Sequence, residues 1–184
     1  MPIDRYNRPE QLAYWINLYN ALTVDAVLRR YPVTSILDIA LTPGLLNRGP
    51  WDAKLAHFAG ESLSLNDIEH RIARPIWRDP RVHYALNFAA IGCPNLAVTA
   101  YTGENVERML DAAARAYVGH PRGVTLRMGG LTLSKIYAWY AEDFGGEVGI
   151  IDHLARYAPP DLALRLTTTP IKAYAYDWAL NAQP

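Results

Sequence analysis

The chain has 184 residues with 18 basic and 18 acidic side chains, so its formal net charge is zero. A balanced charge does not favour nucleic acid or an anionic membrane surface as a partner, and we predict no nucleic-acid binding. The length is that of one domain with a core of its own, and we expect a single domain over residues 1–184.

The sequence carries no pattern for a disulfide, a membrane span or an export signal. One cysteine excludes an internal disulfide. No apolar run approaches the length of a membrane span, and the polar segment 1–8 does not have the pattern of a signal peptide. We therefore expect a soluble protein, cytoplasmic as the chain stands, and exported or periplasmic if a signal segment was removed.

The first predicted element is a long amphipathic helix over residues 9–31. A capping asparagine and an early proline begin this helix, and Pro32 stops it. Asn17 and Asn20 lie three residues apart among its apolar positions and are candidate substrate-binding residues. Two interpretations stay open for these amides, a structural hydrogen bond to a neighbouring loop or strand and a contact with a ligand.

Two later segments, 57–68 and 127–136, share the order strand, glycine turn, strand and helix, and we predict two hairpins that each lead into a helix. On the first of these helices, over residues 65–74, Glu69 flanks the apolar stripe and His70 points more outward. A carboxylate near the core needs a cation or several donors. Glu69 therefore either pairs with a neighbouring arginine or orients a histidine.

We expect the functional residues to cluster in the stretch 79–96. It begins with the turn signal Asp-Pro, continues as an apolar run of strand length and ends at a Gly-Cys-Pro stop that contains Cys93. Alternation along a strand places His83 and Asn87 on one face, separated by small residues. Because unpaired buried polar groups are costly, these two side chains either bond to neighbours or line a cavity.

The C-terminal segment 171–181 alternates as a strand, and Asp177 lies in it among large aromatic residues, which indicates buried hydrogen bonding. Further helices are predicted over 35–41, 103–118, 134–144 and 148–157, with a surface loop over 42–50. Together the elements predict an α+β fold in which an antiparallel sheet with hairpins packs against several helices.

Cys93 is the candidate nucleophile. A thiolate forms where an imidazole or a helix N-terminus favours the anion, and the proline after Cys93 suits the first turn of a helix. His83 is the first candidate base, but ten residues of straight strand would separate the two side chains by about 30 Å. Either the chain folds back near residues 89–92 or His70 is the base. The alternative for a single cysteine is a small buried apolar residue.

Glu69 and Asp177 are the candidates for orienting the imidazole. Other chemistries are not indicated by the sequence. The five histidines include no pair at the zinc spacing His-Glu-x-x-His, no glycine-rich phosphate loop precedes a lysine, and no serine stands in a Gly-x-Ser-x-Gly setting. We predict neither a metal site nor a cofactor.

Four segments carry a resemblance to a known family: residues 13–22, 64–70, 79–96 and 176–181. In combination they resemble the domain of unknown function family 547, over about residues 9–181. The resemblance implies an α+β domain, and it suggests a papain-like, permuted arrangement of the kind found in cysteine hydrolases.

The sequence departs from the pattern of that family at three positions. Phe88 stands where a second cysteine is common, Gly92 where serine is frequent, and Asn95 where a second proline is common. These changes leave Cys93 as the only thiol of the chain.

Two functions follow as hypotheses. The first is a cysteine-dependent hydrolase or acyltransferase that acts on a peptide or amide bond, with Cys93 as nucleophile and a histidine as base. The second is a non-catalytic module that binds a small peptide or a thiol-containing, glutathione-like ligand, with Asn17, Asn20 and Asn87 contributing to recognition.

Overall fold

The structure is a computed structural model and describes residues 3–41 and 48–182. Residues 42–47, part of the predicted surface loop, lie outside the described residues. The described α-helices are α1 (Arg8–Leu28), α2 (Arg74–Trp77), α3 (Val106–Val118), α4 (Lys135–Trp139), α5 (Gly146–Tyr157) and α6 (Pro160–Leu166). The described strands are β1 (Ala56–Phe58), β2 (Glu61–Leu63), β3 (Val124–Arg127), β4 (Gly130–Ser134) and β5 (Ile171–Ala175). Short 3₁₀ turns cover Ile3–Arg5, Ile36–Asp38 and Pro80–Tyr84, and a π-helical segment, Asp67–Ala73, leads into α2.

The fold is α+β, as predicted. Strands β1 and β2 form one antiparallel hairpin, and β3, β4 and β5 form a second, three-stranded sheet in that order. The predicted antiparallel pairing is present in β1–β2 and β3–β4, whereas β5 pairs parallel to β4. Helices α4, α5 and α6 carry the chain back across the sheet between these strands, which is the connection that a parallel pair requires.

Helix α1 supplies the central face of the core. The Asn7 side chain accepts a hydrogen bond from the Glu10 N–H while the Glu10 carboxylate accepts one from the Asn7 N–H, and this capping box fixes the helix start. The helix packs against the π-helical segment and α3, and its side chains Ile16 and Tyr19 have no exposed surface. It ends at Leu28, three residues before the predicted end.

Both predicted hairpins are present, and each leads into a helix. Their turns contain Gly60 and Gly129, with φ of +87° and +98°, a region that glycine enters without strain. Neither hairpin alone could bury a core, and both pack their inner faces on the helices.

The segment 79–96 is not the predicted strand. It opens as the 3₁₀ turn Pro80–Tyr84 and continues as irregular chain. The side chain of Asn20 donates to the Ala85 carbonyl and accepts from the Asn87 N–H, so a side chain satisfies backbone groups that a strand ladder would otherwise satisfy. Apolar alternation here reflects burial in the core without a sheet.

The C-terminal half also differs in detail from the sequence-based expectation. Only Lys135–Trp139 of the predicted helix 134–144 is helical, and α6 was not predicted. Strand β5 stops at Ala175, and the following residues leave the sheet to bridge to Ser35 and Ala90. None of the described helices combines the length and the apolar character needed to cross a bilayer.

Candidate functional site

The clearest candidate site is a small cavity of about 200 Å³, which we call the aromatic pocket. Its lining consists of Trp51, Asn66, Glu69, His70, Phe88, Trp139, Tyr140 and Trp178. Trp178 contacts three of the other rings, with centroid distances of 5.8 Å to Trp51, 6.5 Å to Phe88 and 5.5 Å to Trp139. Trp139 is 42% exposed, so the pocket opens to solvent beside a large aromatic side chain.

The π-helical segment positions Glu69 and His70. π-Helical turns are rare and are found frequently at functional sites, because the wider turn changes where side chains project. The segment is anchored at its start by Asp67, which accepts hydrogen bonds from the backbone and hydroxyl of Ser64 and pairs with Lys54 and Arg71. Lys54, followed by the Ser64 N–H, holds the pKa of Asp67 well below its usual range.

Glu69 and His83, both predicted site residues, come together in the core. They are 1% and 3% exposed, and His83 Nδ1 lies 4.0 Å from Glu69 Oε1. Glu69 Oε2 accepts a 3.3 Å hydrogen bond from the Tyr19 hydroxyl. Among the described residues, neither Glu69 Oε1 nor His83 Nδ1 has a hydrogen-bond partner, so the two atoms face each other without a direct hydrogen bond.

The second ring nitrogen of His83 contacts a carboxylate that the sequence did not indicate. His83 Nε2 lies 2.7 Å from Asp143 Oδ2, and the same carboxylate accepts two hydrogen bonds from Arg74. The ring of His83 stacks on Tyr140 with a centroid distance of 3.9 Å. His83 is therefore held in a fixed orientation by Asp143, in the role predicted for Glu69 or Asp177.

His70 lies at the rim, exposed as predicted. Arg74 Nη1 is 2.7 Å from His70 Nδ1, and the Arg74 guanidinium also lies over the Tyr140 ring. His70 borders the aromatic pocket and also a neighbouring polar cavity of about 410 Å³ that Arg74 and Asp143 line.

Cys93 has no exposed surface. Its sulfur accepts a 2.9 Å hydrogen bond from the Phe88 N–H, and it is not among the residues that line the aromatic pocket. Burial raises the pKa of the Cys93 thiol to about 11, although the neighbouring Tyr176 hydroxyl and the Phe88 N–H act in the opposite direction. The histidine contacts described above, at His70 and His83, do not include this sulfur.

The three predicted binding amides bond to the backbone. Asn17 donates to the Tyr101 carbonyl and accepts from the Tyr101 N–H, and Asn20 bridges Ala85 and Asn87. The Asn87 amide donates to the Pro94 carbonyl and accepts from the Ala89 N–H. Asn17 and Asn20 make the structural bonds of the first interpretation and also border a separate cavity of about 480 Å³.

Asp177 lies away from the histidine cluster. Its side chain is exposed and accepts a hydrogen bond from the Ala179 N–H. Its backbone carbonyl accepts from the Gly92 N–H, and a Cβ at Gly92 would lie 2.8 Å from the Asp177 nitrogen. The buried bonding indicated by its aromatic neighbours therefore belongs to the Asp177 backbone.

Comparison with protein families identifies the family to which the chain belongs. A family described as protein of unknown function, DUF547, matches residues 3–118, more than half of the length. The chain belongs to DUF547. No curated protein and no solved structure matches it. The predicted family resemblance is confirmed, and the papain-like arrangement stays a prediction.

This DUF547 chain has site residues that sequence reasoning missed. Asp143 carries no local signal, since it stands 60 positions from His83 in the sequence. Trp139 and Tyr140 lie in the predicted helix 134–144 with the spacing of core residues, which gives no sign of a pocket. Among residues 3–41 and 48–182, no group of His, Cys, Asp and Glu is arranged to hold a metal ion.

Asp143 makes the protein sensitive to acid. Burial acts to raise the pKa of Asp143, but the hydrogen bonds from His83 and Arg74 outweigh it and hold that pKa well below its usual range. A carboxyl with a depressed pKa stabilises the fold above its unfolded pKa of about 4, and that stabilisation is lost as the pH falls toward the folded value. We expect the free energy of unfolding in urea to fall between about pH 5 and pH 2, and to fall less steeply in Asp143→Asn.

Asp152→Asn is the matched control, because Asp152 is an exposed carboxylate on α5. It should keep the acid sensitivity of the parent protein. Identical slopes for the parent and Asp143→Asn would contradict this account of the cluster.

Proposed function

We propose that this chain is a non-catalytic module that binds a small ligand in the aromatic pocket. One observation carries the proposal: Phe88 lines the pocket, while its N–H is bonded to the sulfur of Cys93. The only thiol of the chain thus lies behind a wall of the pocket. The described residues that line the pocket offer a ligand aromatic rings, Glu69 and His70, and none of them is a nucleophilic side chain of the kind that the hydrolase hypothesis needs.

The resemblance gives this observation additional weight. Phe88 stands where a second cysteine is common in the family, so the position that faces the pocket here carries a ring in place of a thiol. A phenyl ring adds apolar contact area and no acid–base chemistry. This arrangement favours binding over turnover.

The hydrolase hypothesis stays a prediction, and it requires a change in the surroundings of Cys93. A nucleophilic thiol needs a thiolate and access to the substrate, whereas the sulfur of Cys93 is fully buried and its pKa is raised to about 11. Hydrolysis would require the segment around Phe88 to move and bring the sulfur to an imidazole.

Alkylation of the thiol distinguishes the two functions. We expect the native protein to react with iodoacetamide at neutral pH at least roughly 100-fold more slowly than free cysteine, because both burial and a low thiolate fraction slow the attack. The rate is measured by mass spectrometry of the intact protein. The same protein in concentrated guanidinium chloride is the control and should react at the rate of free cysteine.

Binding gives the second readout, with reduced glutathione and tri-alanine as probes and tryptophan fluorescence as the signal. Three of the five tryptophans line the pocket, so occupancy should change their emission. Cys93→Ser should keep the affinity of the parent protein. Rapid alkylation that His83→Ala slows, or cleavage of tri-alanine that Cys93→Ser abolishes, would overturn the proposal and support a hydrolase.

A further inference from the structure

The aromatic pocket combines a ring of aromatic faces with a buried carboxylate. Five of its eight lining residues are Trp, Tyr or Phe. The faces of such rings carry negative electrostatic potential and attract organic cations. Trp51 and Trp178 meet at an interplanar angle of 72°, and Trp51 and Phe88 at 85°, so the rings form walls of different orientation in place of one flat stack.

Glu69 adds a buried carboxyl group whose nearest basic side chain, His83, stays beyond hydrogen-bond distance. The side chain is 1% exposed and lines the pocket, and within residues 3–41 and 48–182 its Oε1 atom has no hydrogen-bond partner. An unpaired acceptor this deeply buried is costly unless something binds to it.

The cations near Glu69 are already engaged elsewhere. Arg74 makes two hydrogen bonds to Asp143 and contacts His70, and His83 Nε2 is bonded to the same Asp143 carboxylate. The remaining ring nitrogen, His83 Nδ1, stays 4.0 Å from Glu69 Oε1, beyond the range of a direct hydrogen bond.

The size of the pocket limits what can enter. A volume of about 200 Å³ is below the roughly 300–1,000 Å³ of sites for drug-sized ligands. It accommodates one compact head group, which can be the terminal ammonium of a longer ligand whose remainder stays outside the pocket. An anionic head group would meet the Glu69 carboxyl group, and a neutral head group would gain no ionic contact with it.

From these contacts we infer that the aromatic pocket binds an organic ammonium head group, with methylated ammonium preferred, held by cation–π contacts to the tryptophans and by the charge of Glu69. The inference rests on the proposed binding function and names the ligand class of the same site. Methylated ammonium is favoured because it is weakly hydrated and loses little water on entering an aromatic cage.

The test compares two probes of the same shape that differ in charge. Choline and 3,3-dimethylbutan-1-ol are titrated into the full chain at constant ionic strength, with tryptophan fluorescence and calorimetry as readouts. We expect choline to bind at least tenfold more tightly than the neutral alcohol. Glu69→Gln should weaken choline at least tenfold and leave the alcohol unchanged, whereas Glu142→Gln, an exposed acidic residue that does not line the pocket, should leave both unchanged.

If Glu69→Gln fails to fold, the comparison of choline with the neutral alcohol in the parent protein still tests the inference, because it needs no variant. Trp139→Leu provides a second variant at an exposed position and should weaken choline by a similar factor. Equal binding of the two probes, or no binding of choline, would overturn the inference. The proposed function has its own separate outcome in the glutathione and tri-alanine titrations.

Discussion

Replacing Asn20 by alanine is expected to lower the free energy of unfolding by about 3 kcal/mol, since two buried backbone groups lose their partner. The side chain donates a 2.8 Å hydrogen bond to the Ala85 carbonyl and accepts a 2.9 Å bond from the Asn87 N–H. Asn20 is 8% exposed, so water cannot readily replace the amide. Urea denaturation followed by circular dichroism measures the loss.

Asn17→Ala is the matched control for this prediction. Asn17 makes the same pair of bonds to the backbone of Tyr101, at 2.8 and 3.0 Å, but it is only partly buried. Water can satisfy the freed groups there, and we expect a loss of about 1 kcal/mol. Equal losses in the two variants would show that burial does not decide the contribution of these amides.

Replacing Arg81 by methionine is expected to destabilise the protein by about 2 kcal/mol, because one partly buried guanidinium neutralises three carboxylates. Arg81 holds Asp79 through both carboxylate oxygens and reaches Glu107 and Asp111 on α3 at 2.7 and 2.8 Å. Without it, these carboxylates repel each other and the 3₁₀ turn loses its tie to α3. Added salt should recover part of the loss, since it screens the repulsion.

Arg29→Met is the comparison variant, because the Arg29–Asp25 pair is 75% and 52% exposed in its two side chains. Exposed pairs of this kind add little to stability, because water and salt screen the two charges. If Arg81→Met and Arg29→Met differ by less than about 0.5 kcal/mol in urea denaturation, the Arg81 cluster has no special role in stability.

The sequence correctly predicted those elements that depend on residues close together in the chain. The capping asparagine predicted the start of α1, and the glycine turns predicted both hairpins, because caps and positive-φ turns depend on residues a few positions apart. The segment 79–96 was predicted wrongly for the opposite reason. Its backbone is satisfied by Asn20, which stands 65 positions from Ala85, and no local pattern reveals that bond.

The candidate site shows the same difference between local signals, which the sequence reveals, and long-range contacts, which it does not. The helical position of Glu69 near the apolar stripe indicated a carboxylate close to the core, and Glu69 is buried. The strand face assigned to His83 does not exist, although its imidazole is buried and has a carboxylate partner. The partner, Asp143, comes from a distant turn. The aromatic residues of the pocket have the spacing of core residues, so the sequence alone does not distinguish rings that line a pocket from rings that fill the core.

The burial of Cys93 was one of two alternatives that the sequence left open. A strand followed by Gly-Cys-Pro gives no information about whether the sulfur faces a crevice or the interior. The structure places Phe88 against it, with a hydrogen bond that only a sharp return of the chain permits. Ala89, at φ of +55°, makes that return possible in an unusual backbone region for a residue with a Cβ.

The rings of the aromatic pocket come from both sides of residue 118, where the family match stops. Trp51 and Phe88 precede that boundary, while Trp139 and Trp178 follow it. A recombinant fragment ending at residue 118 would lack three of the five rings of the aromatic pocket and would leave the inner side of α3 without the strands and helices that cover it. A recombinant form of this protein must therefore extend past Trp178 to contain the whole aromatic pocket.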